Sequence, residues 1–365
     1  MQTRFRQVKY FDAALAVSFG LLMSVGAVMM YSTSLAGTHT IFYHELAYTI
    51  VGVGLFAFFA LFDYKILERA ANSLYAGLVI SLALVLKFGL LVLGARRWFN
   101  LGIINFQPTE FAKLILILVL ARFFSARRGE IKNWQNILLS LTYALIPVIL
   151  IARQPDLGSA IILMAVWFGM LAVSRVQKKV FFYILIALAV FSAGAWKFAL
   201  HDYQKHRLET FLNPKLDPRG RGYNVQQAII AVGSGGLKGT GLGRGLQSSL
   251  KFLPERQTDF VFASTAEELG LVGTLVIMLL YCVMLYRLLI IYRRSRDDTG
   301  RFMVVGIFFM IFSQAAINIG MNIGLLPVTG IPLPLISYGG SSLLTTAMAL
   351  GIAESVANRS KGLRL

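Results

Sequence analysis

The chain has 365 residues, 57% of them apolar and 14% charged, with a mean hydropathy of +0.68. A charged share so far below the roughly 25% of soluble domains excludes an ordinary globular protein and gives a polytopic membrane protein. The formal net charge of +18 would suit nucleic acid in a soluble chain. Here it is read as orientation, with no nucleic acid expected as a partner, and the lone Cys282 allows neither an internal disulfide nor a cysteine metal site.

Arg4, Arg6 and Lys9 precede an apolar run over about 13–31, too long for the core of a cleaved leader and therefore a first span. Further runs follow at about 46–62, 71–93, 107–124, 136–151, 159–173 and 180–199. Another leaves Asp259 and extends from about 260 to 289, and two more fall at about 302–325 and 338–357. The predicted fold class is thus an all-α polytopic membrane protein, one integral domain over 1–365 with ten transmembrane helices. One long extracytoplasmic loop, about 200–260, separates spans seven and eight. Ten spans put both termini on one side. The loops of that side are rich in Lys and Arg, whereas the short loops opposite hold Arg96, Arg97 and Arg153. The positive-inside rule makes the rich side cytoplasmic. The long outer loop is itself basic, which suits an anionic partner at the membrane surface or merely a solvated face.

Candidate chemistry gathers on the outer side. Phe106-Gln-Pro-Thr-Glu110 opens the fourth span, and Glu110 and Lys113 share one helix face; they form either a functional pair or a self-neutralising one. Arg97 lies in the preceding loop. Asp156, in Gln154-Pro-Asp-Leu-Gly158, falls in a first helical turn, where an anion is favoured and a structural cap is the bland alternative. The glycine-rich run 233–245 is no Walker A loop, because Lys238 is followed by Gly239. A backbone-amide nest for another pyrophosphate, with Lys238 and Arg244 beside it, stands equal with a flexible hinge. Pro254-Glu-Arg256 leads through Asp259 into an apolar run holding Glu267 and Glu268 about two turns deeper. Carboxylates at that depth are costly and are functional candidates, with capping and ion pairing as the structural alternatives. Residues 324–342, with Pro327, Pro332, Pro334 and Ser337, cannot form a plain helix. They are expected to be a re-entrant segment over the polar cluster.

The stretches FLPERQTDFVFASTAEELGLVG, GIPLPLISYGGSS, FQPTEFAK, QPDLG and GSGGLKGTG together resemble the SEDS proteins of bacterial cell-wall synthesis. HDYQKHR (201–207) and FLNPKLDPRGRGYNVQQA (211–228) resemble the elongation branch rather than the division branch. Departures are small: Gln257 where relatives often have His, and Thr109 where Ser is common. The resemblance implies a peptidoglycan glycosyltransferase that polymerises lipid II at the outer leaflet of the bacterial plasma membrane. Its implied partners are a class B penicillin-binding protein (a transpeptidase), lipid II, the nascent glycan and membrane lipids. The essential Asp of the family maps onto Asp259, as general base or as ligand of a divalent cation, Mg²⁺ or Mn²⁺. Arg97, Lys113, Arg207 and Arg256 are implied diphosphate contacts, with Lys238 and Ser337 beside the substrate. Glu110 would orient Lys113, and Asp156 and Glu267 would support the site or a cation. A lipid II flippase and a non-catalytic scaffold for a transpeptidase are the rival expectations.

Overall fold

The computed structural model describes residues 11–35, 40–92, 95–100, 105–127, 133–174, 176, 179–183, 186, 209–213, 217, 220–250 and 252–359. Most of the predicted seventh span and much of the long loop, including Arg207, therefore lie outside the described residues. The described chain is an all-α bundle with one small sheet. Its elements run α1 (Ala13–Ser34), α2 (Thr40–Leu61), α3 (Tyr64–Phe88), β1 (Leu90–Val92), β2 (Ala95–Asn100), β3 (Asn105–Phe106), α4 (Pro108–Ala126), α5 (Trp134–Ala152) and α6 (Leu157–Val173). Then come α7 (Arg221–Ser234), α8 (Leu246–Ser249), α9 (Val261–Arg294), α10 (Asp298–Asn322) and α11 (Gly340–Arg359).

Among the described residues six helices, α1, α2, α3, α5, α9 and α10, are long and apolar enough to cross a membrane. The chain is a multi-pass membrane protein. α4, α6 and α11 are buried over most of their lengths and fill the interior, α4 and α6 against α10 and α11 chiefly against α2. Three boundaries depart from expectation, the start of α3 at Tyr64 rather than about 71 among them. α2 begins at Thr40, ahead of the predicted 46, and takes Glu45 into the bundle at 1% exposed. The third apolar run, expected to continue to 93, ends as helix at Phe88, and its remainder pairs antiparallel with 95–100.

The polypeptide leaves α1 and enters α2 at one end of the bundle, called here the upper end; the sheet, the 153–156 turn and the 323–339 segment lie at the same end. The lower end is closed by ion pairs and short turns. Arg287 holds Asp12 through two nitrogens at 2.5–3.1 Å, and the Asp12 N–H donates to Glu354 Oε1 at 2.7 Å. Tyr64 donates to Asp297, Thr299 to Glu68, and Ser355 to the Phe62 carbonyl.

The upper end is built from broken backbone. Residues 323–339 pass between the helices as an irregular segment whose Ile331, Leu333, Leu335 and Ile336 are at most 2% exposed. Glycines admit it. A Cβ at Gly26 of α1 would lie 2.7 Å from the Leu335 carbonyl oxygen, and one at Gly158 of α6 would lie 3.0 Å from that of Thr329. Tyr281 of α9 donates to the Pro334 carbonyl. Irregular backbone at such depth needs protein partners for its polar groups, and these contacts supply them. The expected departure from plain helix over 324–339 is thus present.

Candidate active site

Asp259 is half-buried and stands just ahead of α9. Its backbone is fixed from behind. The Asn318 and Asn322 side-chain amides, one turn apart on α10, both donate to the Asp259 carbonyl at 3.0 Å. The Ala263 N–H of the first α9 turn donates to Asn322 Oδ1 at 3.0 Å. Phe260, 2% exposed, packs with Ala228, Ala231, Leu253 and Ala263 into a small apolar cluster that anchors α7 beside it. In front, the carboxylate faces Gly330, where a Cβ would stand 3.5 Å from Asp259 Oδ2. Gly330 has φ +75, so both its conformation and its missing side chain matter there.

The broken segment is strapped to this stretch. Asn318 Nδ2 also donates to the Ile331 carbonyl at 2.8 Å. Ser337 Oγ donates to the Thr258 carbonyl at 2.6 Å and accepts the Leu333 N–H at 2.8 Å, and the Tyr338 N–H donates to the Gln257 carbonyl at 2.8 Å. Ser337 is therefore 3% exposed, with its hydroxyl engaged within the protein.

Arg97 reaches across to the turn before α6, its Nε donating to the Gln154 carbonyl at 2.8 Å and its Nη2 to that of Pro155 at 2.5 Å. Asp156 caps α6, accepting the Ser159 N–H at 3.1 Å and the Ser159 hydroxyl at 3.0 Å. Thr109 donates to the Gln154 side chain at 3.3 Å. One turn into α4, Lys113 Nζ lies 2.8 Å from both oxygens of Glu110, with 1% of Lys113 and 4% of Glu110 exposed. A run of contacts thus links Arg97, the 154–155 turn, Gly158, Thr329 to Ile331, Asn318 and Asp259.

The third group lies around the α9 break. Gly270 has φ 67 and ψ −167, so the helix from Val261 stops there and a second one continues to Arg294. The carbonyls freed by the break accept N–H groups of the glycine-rich run: Thr240 donates to Glu267 and Gly241 to Glu268, both at 3.0 Å. In return Leu271 and Val272 donate to the Gly236 and Leu237 carbonyls. Contact is so close that a Cβ at Gly235 would sit 1.9 Å from the Ala266 oxygen and one at Gly239 2.1 Å from that of Glu268. The Thr240, Gly241 and Gly243 amides are thus engaged within the protein. The run is a splice over a helix break, and Lys238 stands exposed on its outside.

Glu267 accepts the Gln247 N–H at 2.7 Å and the Ser248 N–H and hydroxyl at 3.0 and 2.7 Å, so it caps α8. Glu268 accepts from the Ser32 hydroxyl. Arg256 is 9% exposed and donates to the Thr33 carbonyl at 3.3 Å; burial holds its guanidinium below the ordinary value, and the charge of Glu268 opposes that shift. Glu110, Asp156, Glu267 and Ser337 could meet a substrate only by giving up these bonds.

Asn318 and Asn322 were not singled out from the sequence, although two amides spaced i, i+4 in an apolar span are a visible signal. The apolar run of the second span, starting at about 46, does not reach Glu45, whose Oε2 is buried with no hydrogen-bond partner. Among the described residues no group of three or more His, Cys, Asp or Glu could hold a metal ion.

A family model for FtsW, RodA and SpoVE, described as cell cycle protein, matches residues 6–362. The chain is 42% identical over 292 residues to the peptidoglycan glycosyltransferase MrdB of Escherichia coli (strain K12), covering 80% of this chain and 79% of that protein. A chain in a solved structure of a peptidoglycan synthase complex that coordinates polymerization and crosslinking superposes with a TM-score of 0.85 at 31% identity, over 96% of this chain and 99% of that one. The rod shape determining protein RodA of Thermus thermophilus gives a TM-score of 0.70 at 29% identity, over 96% and 97%.

Proposed function

This chain belongs to the FtsW, RodA and SpoVE family, the SEDS proteins, and is a peptidoglycan glycosyltransferase of the RodA type; we propose that it polymerises lipid II into β-1,4 glycan at the outer leaflet, with Asp259 as general base. The observation that carries the assignment of the base is the setting of Asp259. Its backbone carbonyl is clamped by two asparagines, and its carboxylate lies beside Gly330, where a Cβ would stand 3.5 Å from Oδ2.

Joining an α-linked diphosphate donor through a β bond inverts the anomeric carbon, so a single in-line displacement suffices. Asp259 takes the proton of the acceptor hydroxyl as its oxygen attacks the donor anomeric carbon. The bond from that carbon to the diphosphate oxygen breaks, and the electron pair leaves with the diphosphate. Because one displacement completes the reaction, a second, nucleophilic carboxylate is unnecessary. Cations must meet the charge that develops on the leaving group. Arg97, on the same run of contacts as Asp259, is the cation we place there first, with Lys113, Arg207, Lys238 and Arg256 as further contacts. A divalent cation, Mg²⁺ or Mn²⁺, would be held by Asp259 and the substrate's own phosphate oxygens and would supply further charge stabilisation. Among the described residues no group of three or more His, Cys, Asp or Glu surrounds Asp259, which suits a cation held in part by the substrate and not a cage made by protein alone.

The bilayer setting follows the same reading. Ten spans with a long loop between the seventh and eighth, both termini cytoplasmic and the upper end outside the bacterial plasma membrane, would bring Asp259 to the leaflet where a lipid-linked substrate is presented. A class B penicillin-binding protein is the proposed partner, supported by the similar chain found in a peptidoglycan synthase complex.

Purified chain in liposomes with labelled lipid II tests the assignment. Wild type is expected to form glycan and Asp259→Ala none, at an unchanged unfolding temperature. Glycan from both would remove Asp259 as the base.

A further inference from the structure

We infer that Asn318 is a positioning residue for the glycosyl transfer, seconded by Asn322: it sets the Asp259 carboxylate against the 329–338 segment without touching substrate itself. This rests on Asp259 being the base.

Asn318 is 0% exposed and lies inside an apolar helix, where a side-chain amide persists only with its hydrogen bonds made. Its two N–H groups join two separate pieces of chain. One goes to the Asp259 carbonyl at 3.0 Å and the other to the Ile331 carbonyl at 2.8 Å. These two segments face each other at Asp259 and Gly330, where an added Cβ would stand 3.5 Å from Asp259 Oδ2. Asn322, also 0% exposed, repeats the bond to Asp259. It donates back to the Asn318 carbonyl at 2.8 Å and accepts the Ala263 N–H, thereby fixing the start of α9. The two amides act as one clamp.

The physical need is specific. Asp259 lies outside the hydrogen-bonded body of α9, with Phe260 as the residue that heads the helix. Its carbonyl would otherwise turn toward water, and the carboxylate would turn with it. A polar link to backbone carbonyls fixes orientation without adding charge beside the base, which Lys or Arg at 318 would do. Replacement by Asp would keep the shape and lose both donors, leaving the two carbonyls facing a carboxylate.

Glycan formation from labelled lipid II by the full chain in liposomes, together with its proposed partner, gives the test. Asn318→Ala is expected to lower kcat about 10- to 100-fold, the scale of a misplacement near 1 Å, with KM for lipid II within about twofold. Asn322→Ala, which leaves one donor on Asp259, is expected to fall between Asn318→Ala and wild type. A double-mutant cycle supplies the readout that a merely structural role would not move. Asp259→Glu alone should slow the reaction strongly, and adding Asn318→Ala to it should cost less than threefold more, because both act on the same carboxylate. Wild-type kcat in Asn318→Ala, or full multiplication of the two losses, overturns the inference. So does a fall in unfolding temperature that accounts for the whole loss. Should Asn318→Ala fail to fold, the Asn322→Ala cycle with Asp259→Glu decides by the same criterion. Wild-type rates in Asp259→Ala would instead reject the base itself, a result distinct from failure of the clamp.

Discussion

The two ends of the bundle are closed by different chemistry. At the lower end charged side chains do the joining: Arg287 on Asp12, Arg359 near Asp63 at 3.5 Å, and Asp297 receiving Tyr64 and capping α10. The connections there can be short, as between Leu61 and Tyr64 and between Arg294 and Asp298. At the upper end side chains instead meet the carbonyls of irregular backbone: Asn318 and Asn322 that of Asp259, Ser337 that of Thr258, and Arg97 those of Gln154 and Pro155. The lower arrangement holds helices together. The upper one holds irregular backbone deep in the protein, with the half-buried Asp259 beside it.

Several substitutions sharpen this contrast. The largest effect on stability is expected inside the upper end. Lys113→Ala leaves Glu110 buried without its cation and should cost about 3–5 kcal/mol. Adding Glu110→Gln should recover most of that, as read by unfolding in detergent. If Lys113 also contacts the diphosphate, the double variant stays stable and loses rate. Next comes Gly270→Ala. A side chain at φ 67 and ψ −167 is strained, and its Cβ would stand 2.3 Å from the Gly239 nitrogen. Strain and overlap are each worth about 1–3 kcal/mol, and the loss should appear as early proteolysis within 235–245.

At the lower end, Arg287→Ala removes the partner of a carboxylate with 8% of its side chain exposed. The expected cost is about 1–3 kcal/mol in unfolding free energy, with the rate per folded molecule unchanged. A lowered rate at full stability would show that the lower end takes part in turnover. The smallest effect is expected at Gly233, where an added Cβ meets nothing within 4 Å. Gly233→Ala in α7 should be neutral or stabilising by up to about 1 kcal/mol, the helix-propensity difference.

Apolar runs located the helices well, because a span must satisfy its backbone internally and its side chains must suit lipid or a dry core. They failed where the backbone departs from helix without a drop in hydropathy. Leu90–Val92 is as apolar as the span before it, yet it pairs as a strand. The run after Asp259 looked continuous, yet Gly270 divides it, and the cause lies in a partner about 30 residues earlier in the chain, Gly239. Glu267 was visible as an odd acid at depth. Its use as a cap for Gln247 and Ser248 was not, since that depends on a fold-back of the preceding loop. Asp259, Arg97, Glu110 and Lys113 stood out because charge near a membrane is conspicuous. Asn318 and Asn322 carry no charge and drew no notice, although they hold the acid in place.

The most direct measurement compares Asp259→Asn with Arg287→Ala in the same liposomes, reading glycan formed per folded molecule alongside the unfolding temperature. Asp259→Asn is expected to keep the wild-type unfolding temperature and make no glycan, while Arg287→Ala unfolds earlier and keeps its rate. Glycan made by Asp259→Asn at the wild-type rate would contradict the placement of the chemistry at Asp259.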